Sequence, residues 1–171
     1  IEEQRVKGVL DMTIYEVFLL GEKRLESAGI RGLPQVIVPG GVDMLIFPGT
    51  KEAVAARFKG RAIHVHGPNM ILVRTTREEV EKAAKAIVGR VNRAIGPVTI
   101  MIPLRGFSAV DKEGQGFYDP ETDKIFASVV EANTKENVKV MKVDAHINDE
   151  KFAEEVVDTF DKMYKSVNLK R

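Results

Sequence analysis

The sequence contains no cysteine in its 171 residues. Disulfides, thiolate zinc sites and cysteine nucleophiles are therefore excluded. No apolar run approaches the ~18 residues that a membrane-spanning helix needs. The opening stretch, IEEQR, is too charged to read as a secretory leader. Nor is there an excess of one charge: 26 Lys and Arg face 25 Asp and Glu, for a net charge of +1. These charges are interleaved, so the basic stripe of a nucleic-acid binder is missing. Neither GxxxxGK[ST] nor a GxGxxG after a strand occurs, which removes both standard phosphate-binding motifs. There is no internal repeat, low-complexity segment or linker. These absences predict a cytoplasmic protein with no nucleic-acid or membrane partner, and a single domain over residues 1–171. The first residue is Ile1 and a strand-like run follows closely, so the chain is expected to begin inside a longer polypeptide.

What is present is an alternation of apolar strand-like runs with amphipathic helical ones. Residues 8–12 suit a strand, and residues 14–28 carry apolar side chains at helical spacing. Short apolar runs follow at residues 35–38 and 44–47. Thr50 is placed to cap KEAVAARF, and residues 62–66 alternate as a strand does. TREE, residues 76–79, has capping-box spacing ahead of the clearest amphipathic helix in the chain. VTIMI then reads as a buried strand, Asp119–Pro120 as a helix start, and VKVMKV as the last strand before a final helix capped by Asn148 or Asp149. This rhythm predicts an α/β fold of three layers, Rossmann-like, with a mostly parallel sheet and helices on both faces.

In open α/β sheets, ligands bind beyond the carboxyl ends of the strands. The candidates delivered there are Asp11, Thr13 and Glu16, then Gly40, Gly41 and Asp43, then His66 and Asn69, then the long stretch IPLRGFSAVDKEGQGFYDP, and finally Asp144, His146, Asn148 and Asp149. Each has a bland alternative beside its functional reading. Gly40 and Gly41 in PGG are either an anion-holding nest or a tight turn. His64 and His66 share one strand face, and His66 with His146 and Asp144 would suit zinc or iron, unless they are structural histidines near strand ends. His66, His146 and Asp111 are also candidate acid–base groups. Arg74 is either a fork for a phosphate or one half of an ion pair. In the long stretch, Arg105, Gly106 and Ser108 offer an oxyanion or phosphate clamp. Ser108 lacks the second glycine of a G-x-S-x-G elbow, which weakens a serine nucleophile. Phe107, Phe117 and Tyr118 are expected to pin this loop to the body.

Five stretches in order, GVLDMTIYE, LPQVIVPGGVDML, HVHGPNMILVRTT, GPVTIMIPLRGFSAVDKEGQGFYDP and DAHIND, together resemble the C-terminal half of the Tm-one-like ATP-binding family, an uncharacterised family that includes a plant virus-resistance protein. The matching positions are Asp11, Thr13 and Glu16; Pro39, Gly40 and Asp43; His66, Arg74 and Thr75; Gly106, Ser108, Asp111, Gly114, Phe117 and Asp119; and His146, Asn148 and Asp149. Arg105 and His64 depart from the pattern. The resemblance implies two Rossmann-like halves, with a glycine-rich phosphate loop on the N-terminal half, which is not in this sequence. It thus implies one wall of an interdomain cleft for ATP or a related nucleotide, and a homo-oligomer. Two other readings stand beside it: an enzyme acting on a small anionic metabolite, and a homodimerising interaction module.

Overall fold

The computed structural model describes residues 9–11 and 25–168. Thr13, Glu16 and most of the helix expected over residues 14–28 lie outside the described residues. The elements in chain order are β1 (Val9–Asp11), α1 (Glu26–Ile30), β2 (Gln35–Ile37), β3 (Met44–Pro48), α2 (Lys51–Arg57), β4 (Ile63–Gly67), β5 (Met70–Arg74), α3 (Arg77–Val91), β6 (Val98–Pro103), α4 (Pro120–Asn133), β7 (Val138–Val143) and α5 (Glu150–Asn168).

The main sheet runs β1-β2-β6-β7 and every pairing in it is parallel. Its central strand β6 is buried at all six positions, as VTIMIP leads one to expect of a strand covered on both faces. Alternation sorts its side chains. Ile37, Val98, Ile100 and Ile102 point to one face, where they meet Ile87, Val88 and Val91 of α3 and Phe126 and Val130 of α4. Val36, Val38, Met101 and Val143 point to the other, against Phe152 and Val156 of α5. The result is the three-layer α/β architecture that the strand–helix rhythm predicts.

The helix starts form as their sequences dictate. The Thr76 hydroxyl accepts from the Glu79 backbone N–H, and the Glu79 carboxylate accepts from the Thr76 N–H at 2.8 Å, completing the capping box. The Asp119 carboxylate caps α4 through the Thr122 N–H at 3.1 Å, with Pro120 in its first turn.

One part departs from the expected sheet. Residues 44–48 and 63–67 do not join the parallel sheet but form a separate antiparallel one, β3-β5-β4. Its centre is β5, residues 70–74. Only Pro68 and Asn69 separate β4 from β5, far too few for a crossover, so the chain must fold back as a hairpin. One face of this small sheet packs Ile71 and Val73 against Val54 of α2. The other packs Met44 and Leu72 against Val110 and Phe117 of the loop between β6 and α4.

Candidate functional site

The long loop, residues 104–119, begins as an extension of β6. The Leu104 N–H donates to the Val143 carbonyl and the Arg105 N–H to the Ala145 carbonyl, so it runs beside the end of β7. At Gly106 the chain turns with φ 121°, a conformation that favours glycine. A Cβ there would sit 1.8 Å from the Asp111 carbonyl oxygen. The turn is then fastened from several directions. The Phe107 N–H donates to Asp111 Oδ2 at 2.8 Å, and the Phe107 carbonyl accepts from the Gly41 N–H at 3.0 Å. The Ser108 hydroxyl donates to Asp43 Oδ2 at 2.6 Å. Phe107 enters the main core edge-on to Phe126, with ring centroids 5.4 Å apart, while Phe117 enters the smaller core. Phe107 and Phe117 thus pin the loop as expected. Tyr118 does not: it stays 42% exposed. A phenol hydroxyl is better left in water than sealed in an apolar core without a partner.

His146 belongs to this scaffold. Its Nε2 is 2.9 Å from the Ser108 carbonyl, and its Nδ1 accepts from the Asn148 N–H at 3.1 Å. A ring that accepts at Nδ1 and faces a carbonyl with Nε2 is the neutral tautomer with its proton on Nε2. Asp149, at the start of α5, accepts from the His146 N–H at 2.8 Å.

Beneath the loop lies a buried charged cluster. Asp43 and Asp111 are fully buried and Arg74 nearly so. Arg74 donates to Asp123 Oδ1 of α4 at 2.6 Å and to the Asp43 carbonyl at 3.0 Å. Burial pushes the Asp43 carboxyl up to about 6; the Ser108 hydrogen bond opposes that, Asp111 adds to it, and Arg74 opposes it. The Asp123 carboxyl is also raised, by burial first and then by the negative charge of Asp111, against the pull of Arg74.

Outside this scaffold, beyond the carboxyl ends of β6 and β7, a recess of about 470 Å³ is lined by Leu104, Arg105, Lys112, Glu113, Tyr118, His146 and Asp149. Arg105 is held by a two-pronged pair with Asp144, Nε to Oδ1 at 2.7 Å and Nη2 to Oδ2 at 2.9 Å. That hydrogen bond, with the arginine's charge, keeps the Asp144 carboxyl below its ordinary range. The recess therefore presents two cations, two acids, an aromatic ring and an imidazole edge at the position where α/β sheets bind small ligands.

The candidate residues divide accordingly. Arg105 and His146 line the recess, and Asp144 stands beside it as the partner of Arg105. Gly106, Ser108, Asp111, Asp43 and Arg74 form the support behind it. Gly40 and Gly41 are spent on a turn, their N–H groups donating to the Val38 and Phe107 carbonyls. His66 and Asn69 sit exposed on the β4–β5 hairpin, in the other sheet. His66, His146 and Asp144 are not gathered into one set: among the described residues no three His, Asp or Glu side chains are grouped to hold a metal ion. Asp11 falls in β1, and nothing further is described of it. Nothing in the sequence marks Lys112, Glu113 or Asp123, because charges inside a polar loop or on an amphipathic helix carry no local signature. The sequence marks Tyr118 as an anchor, whereas in the structure it lines the recess.

A parallel sheet covered by helices on both faces, with polar groups beyond its carboxyl edge, defines an α/β domain of Rossmann-like type. The chain belongs to the family described as "Uncharacterised protein family (UPF0261) C-terminal domain", whose pattern matches residues 1–164. It is 41% identical over 157 residues to a UPF0261 protein of Clostridium tetani, covering 86% of this chain and 39% of that protein. It is 35% identical over 165 residues to a UPF0261 protein of Rhizobium meliloti, covering 91% of this chain and 41% of that one. It is also 35% identical over 167 residues to the ToMV resistance protein Tm-1(GCR237) of Solanum lycopersicum, covering 91% of this chain and 22% of that protein. The chain thus spans about two fifths of the length of its bacterial relatives. No helix among the described residues is long and apolar enough to cross a membrane.

Proposed function

We propose that this domain forms one wall of an interdomain cleft for ATP or another small phosphate-bearing anion, with the other half of the longer protein supplying the phosphate loop. The observation that carries this reading is the recess beyond β6 and β7, with Arg105 and Lys112 on its lining. Guanidinium and ammonium groups are the side chains that hold phosphate oxygens most strongly. The recess is backed by a fastened loop, so its backbone wall is preorganised, and Asp144 holds Arg105 in place. No Walker-type or GxGxxG motif is present in this sequence, so the remaining phosphate contacts have to come from elsewhere. The relatives' greater length supplies a natural source for them.

An acid–base enzyme built on His146, His66 and Asp111 draws less support. Both His146 ring nitrogens are engaged by backbone groups, His66 is on another sheet, and Asp111 is sealed beneath the loop. The test is titration calorimetry with ATP, on this chain alone and on a two-half protein that contains it. The cleft reading expects weak or no heat from the chain and clear binding by the longer protein, weakened by Arg105→Ala. Tight binding by this chain alone, or binding by the longer protein that ignores Arg105, overturns it.

A further inference from the structure

The protein has no cysteine and three histidines, and two of the three stand together on β4, away from the recess. The ring centroids of His64 and His66 lie 6.2 Å apart, on one face of the strand. A metal–imidazole bond is about 2 Å long, so two rings that share one ion have centres about 5–6 Å apart. A small turn of either ring closes the difference. His64 is opposite Leu72 in the small sheet, and its ring meets Phe117 edge-on with centroids 6.4 Å apart. Leu72 and Phe117 are both buried in the smaller core. His64 is thus braced on its inner side while the side chain as a whole stays exposed.

The strand pairing brings a third donor to this face. Val65 pairs with Ile71 and Gly67 with Met70, so β4 advances two residues where β5 advances one. His66 is the extra residue of that β-bulge, and it stands with Gly67 opposite Met70. Opposed residues of an antiparallel pair are about 5 Å apart at Cβ. Met70 lies two residues from Leu72 on β5, and so shares the face of Leu72 and His64. It is 43% exposed, and its unbranched chain can swing the sulfur toward either ring.

We propose that His64, His66 and Met70 form a binding site for one copper ion in its Cu(I) state, on the exposed part of the β4–β5 hairpin. Two imidazoles and a thioether are a soft, neutral donor set. It suits Cu(I) and does not serve Mg²⁺ or Ca²⁺, which seek oxygen ligands. Among the described residues no carboxylate joins the two histidines as a further ligand. The chain has no thiolate to complete a zinc site or to draw copper elsewhere. Bulges re-aim side chains, and this one sets His66 beside His64 with Met70 across from it. His146, the remaining histidine, takes no part, because backbone groups engage both its ring nitrogens. The site does not depend on what the recess binds.

The experiment adds Cu(I), kept reduced with ascorbate in the absence of oxygen, to the 171-residue chain. NMR follows the histidine ring nitrogens and the methionine methyl groups; Cu(I) is diamagnetic, so ligand signals shift and stay visible. One equivalent is expected to shift His64, His66 and Met70, and to leave His146 and the other five of the six methionines in place. Competition with a chromophoric Cu(I) chelator then reads the affinity. His64→Ala, His66→Ala and Met70→Leu should each weaken it about tenfold or more. All three side chains are exposed, so the melting temperature should hold. Met70→Leu conserves volume, so it tests the thioether even if a histidine variant folds poorly. The absence of any shift, a shift centred on His146, or an affinity that ignores Met70→Leu overturns the site. So does Zn²⁺ that displaces Cu(I) at equal concentration, which would assign the histidine pair to a harder ion.

Discussion

The carbonyl oxygen of Asp111 occupies the place where a side chain on Gly106 would have to go, 1.8 Å from the position of a Cβ. The His146 ring closes the same space from the other side, its Cδ2 at 3.0 Å from that position. No rotamer relieves either contact, because a Cβ has none. With φ at 121° the backbone conformation adds its own penalty. Gly106→Ala is therefore expected to cost about 3 kcal/mol. Urea unfolding measures it, and a loss under about 0.5 kcal/mol would show that the turn is softer than its packing implies.

Asp43 makes stability depend on pH. Its carboxyl titrates near 6 in the folded protein, chiefly through burial, and near 4 when unfolded. A raised carboxyl favours the folded state while protonated. That contribution is complete below about pH 4 and is lost as pH rises through about 6, amounting to roughly 3 kcal/mol in all. Asp43→Asn retains an acceptor for the Ser108 hydroxyl and removes the charge. It should flatten the wild-type fall in stability between about pH 4 and about pH 7, as followed by thermal melts across that range.

Arg74 answers several groups that water cannot reach, and its ion pair with Asp123 has side chains only 8% and 12% exposed. Arg74→Met should destabilise by about 3–5 kcal/mol, because it leaves a buried carboxylate without its cation. Adding Asp123→Leu should restore a good part of that loss, since removing both charges also removes the desolvation problem. A double-mutant cycle in urea reads the coupling, and additive losses would mean that the pair is not the principal partner of either residue.

Arg105 and Lys112 are exposed, and among the described residues Arg105 pairs only with the equally exposed Asp144. Arg105→Ala and Lys112→Ala should leave the melting temperature unchanged. Each should weaken nucleotide binding by the two-half protein about tenfold, the worth of one charge-assisted hydrogen bond. Calorimetry on folded variants decides this. Unaltered affinity in both would remove the recess from the proposed cleft.

The elements most legible in the chain were those set by neighbours a few residues apart. The capping box of Thr76 and Glu79, the Asp119–Pro120 start of α4 and the apolar run of β6 all formed where their sequences placed them. The small antiparallel sheet was harder to see. Residues 70–74 bear the apolar residues of a strand, but the sense of their pairing depends on the two-residue turn before them, and that turn carries no glycine to announce it. His64 and His66 do share a face, with ring centroids 6.2 Å apart, yet that face belongs to the hairpin and not to the main sheet. The candidate site was legible as a set of loops and illegible as a division of labour. In one dimension Ser108 reads as part of an anion clamp and His146 as an acid–base or metal group; in three they fasten the loop to the protein.

The sequence by itself therefore determined the layers, the capped starts of α2, α3 and α4 and the edge of the sheet where polar residues gather, because periodicity and capping act over a few residues. It did not determine α1, which starts at Glu26 after a left-handed Leu25 and runs to Ile30. Only the tertiary structure decided which of those polar residues face a ligand and which face each other. Ser108 meets Asp43 across 65 positions, and Arg74 meets Asp123 across 49. Whether a buried carboxylate finds a cation, a hydroxyl or another carboxylate is settled by what packing brings beside it, and no local pattern records that.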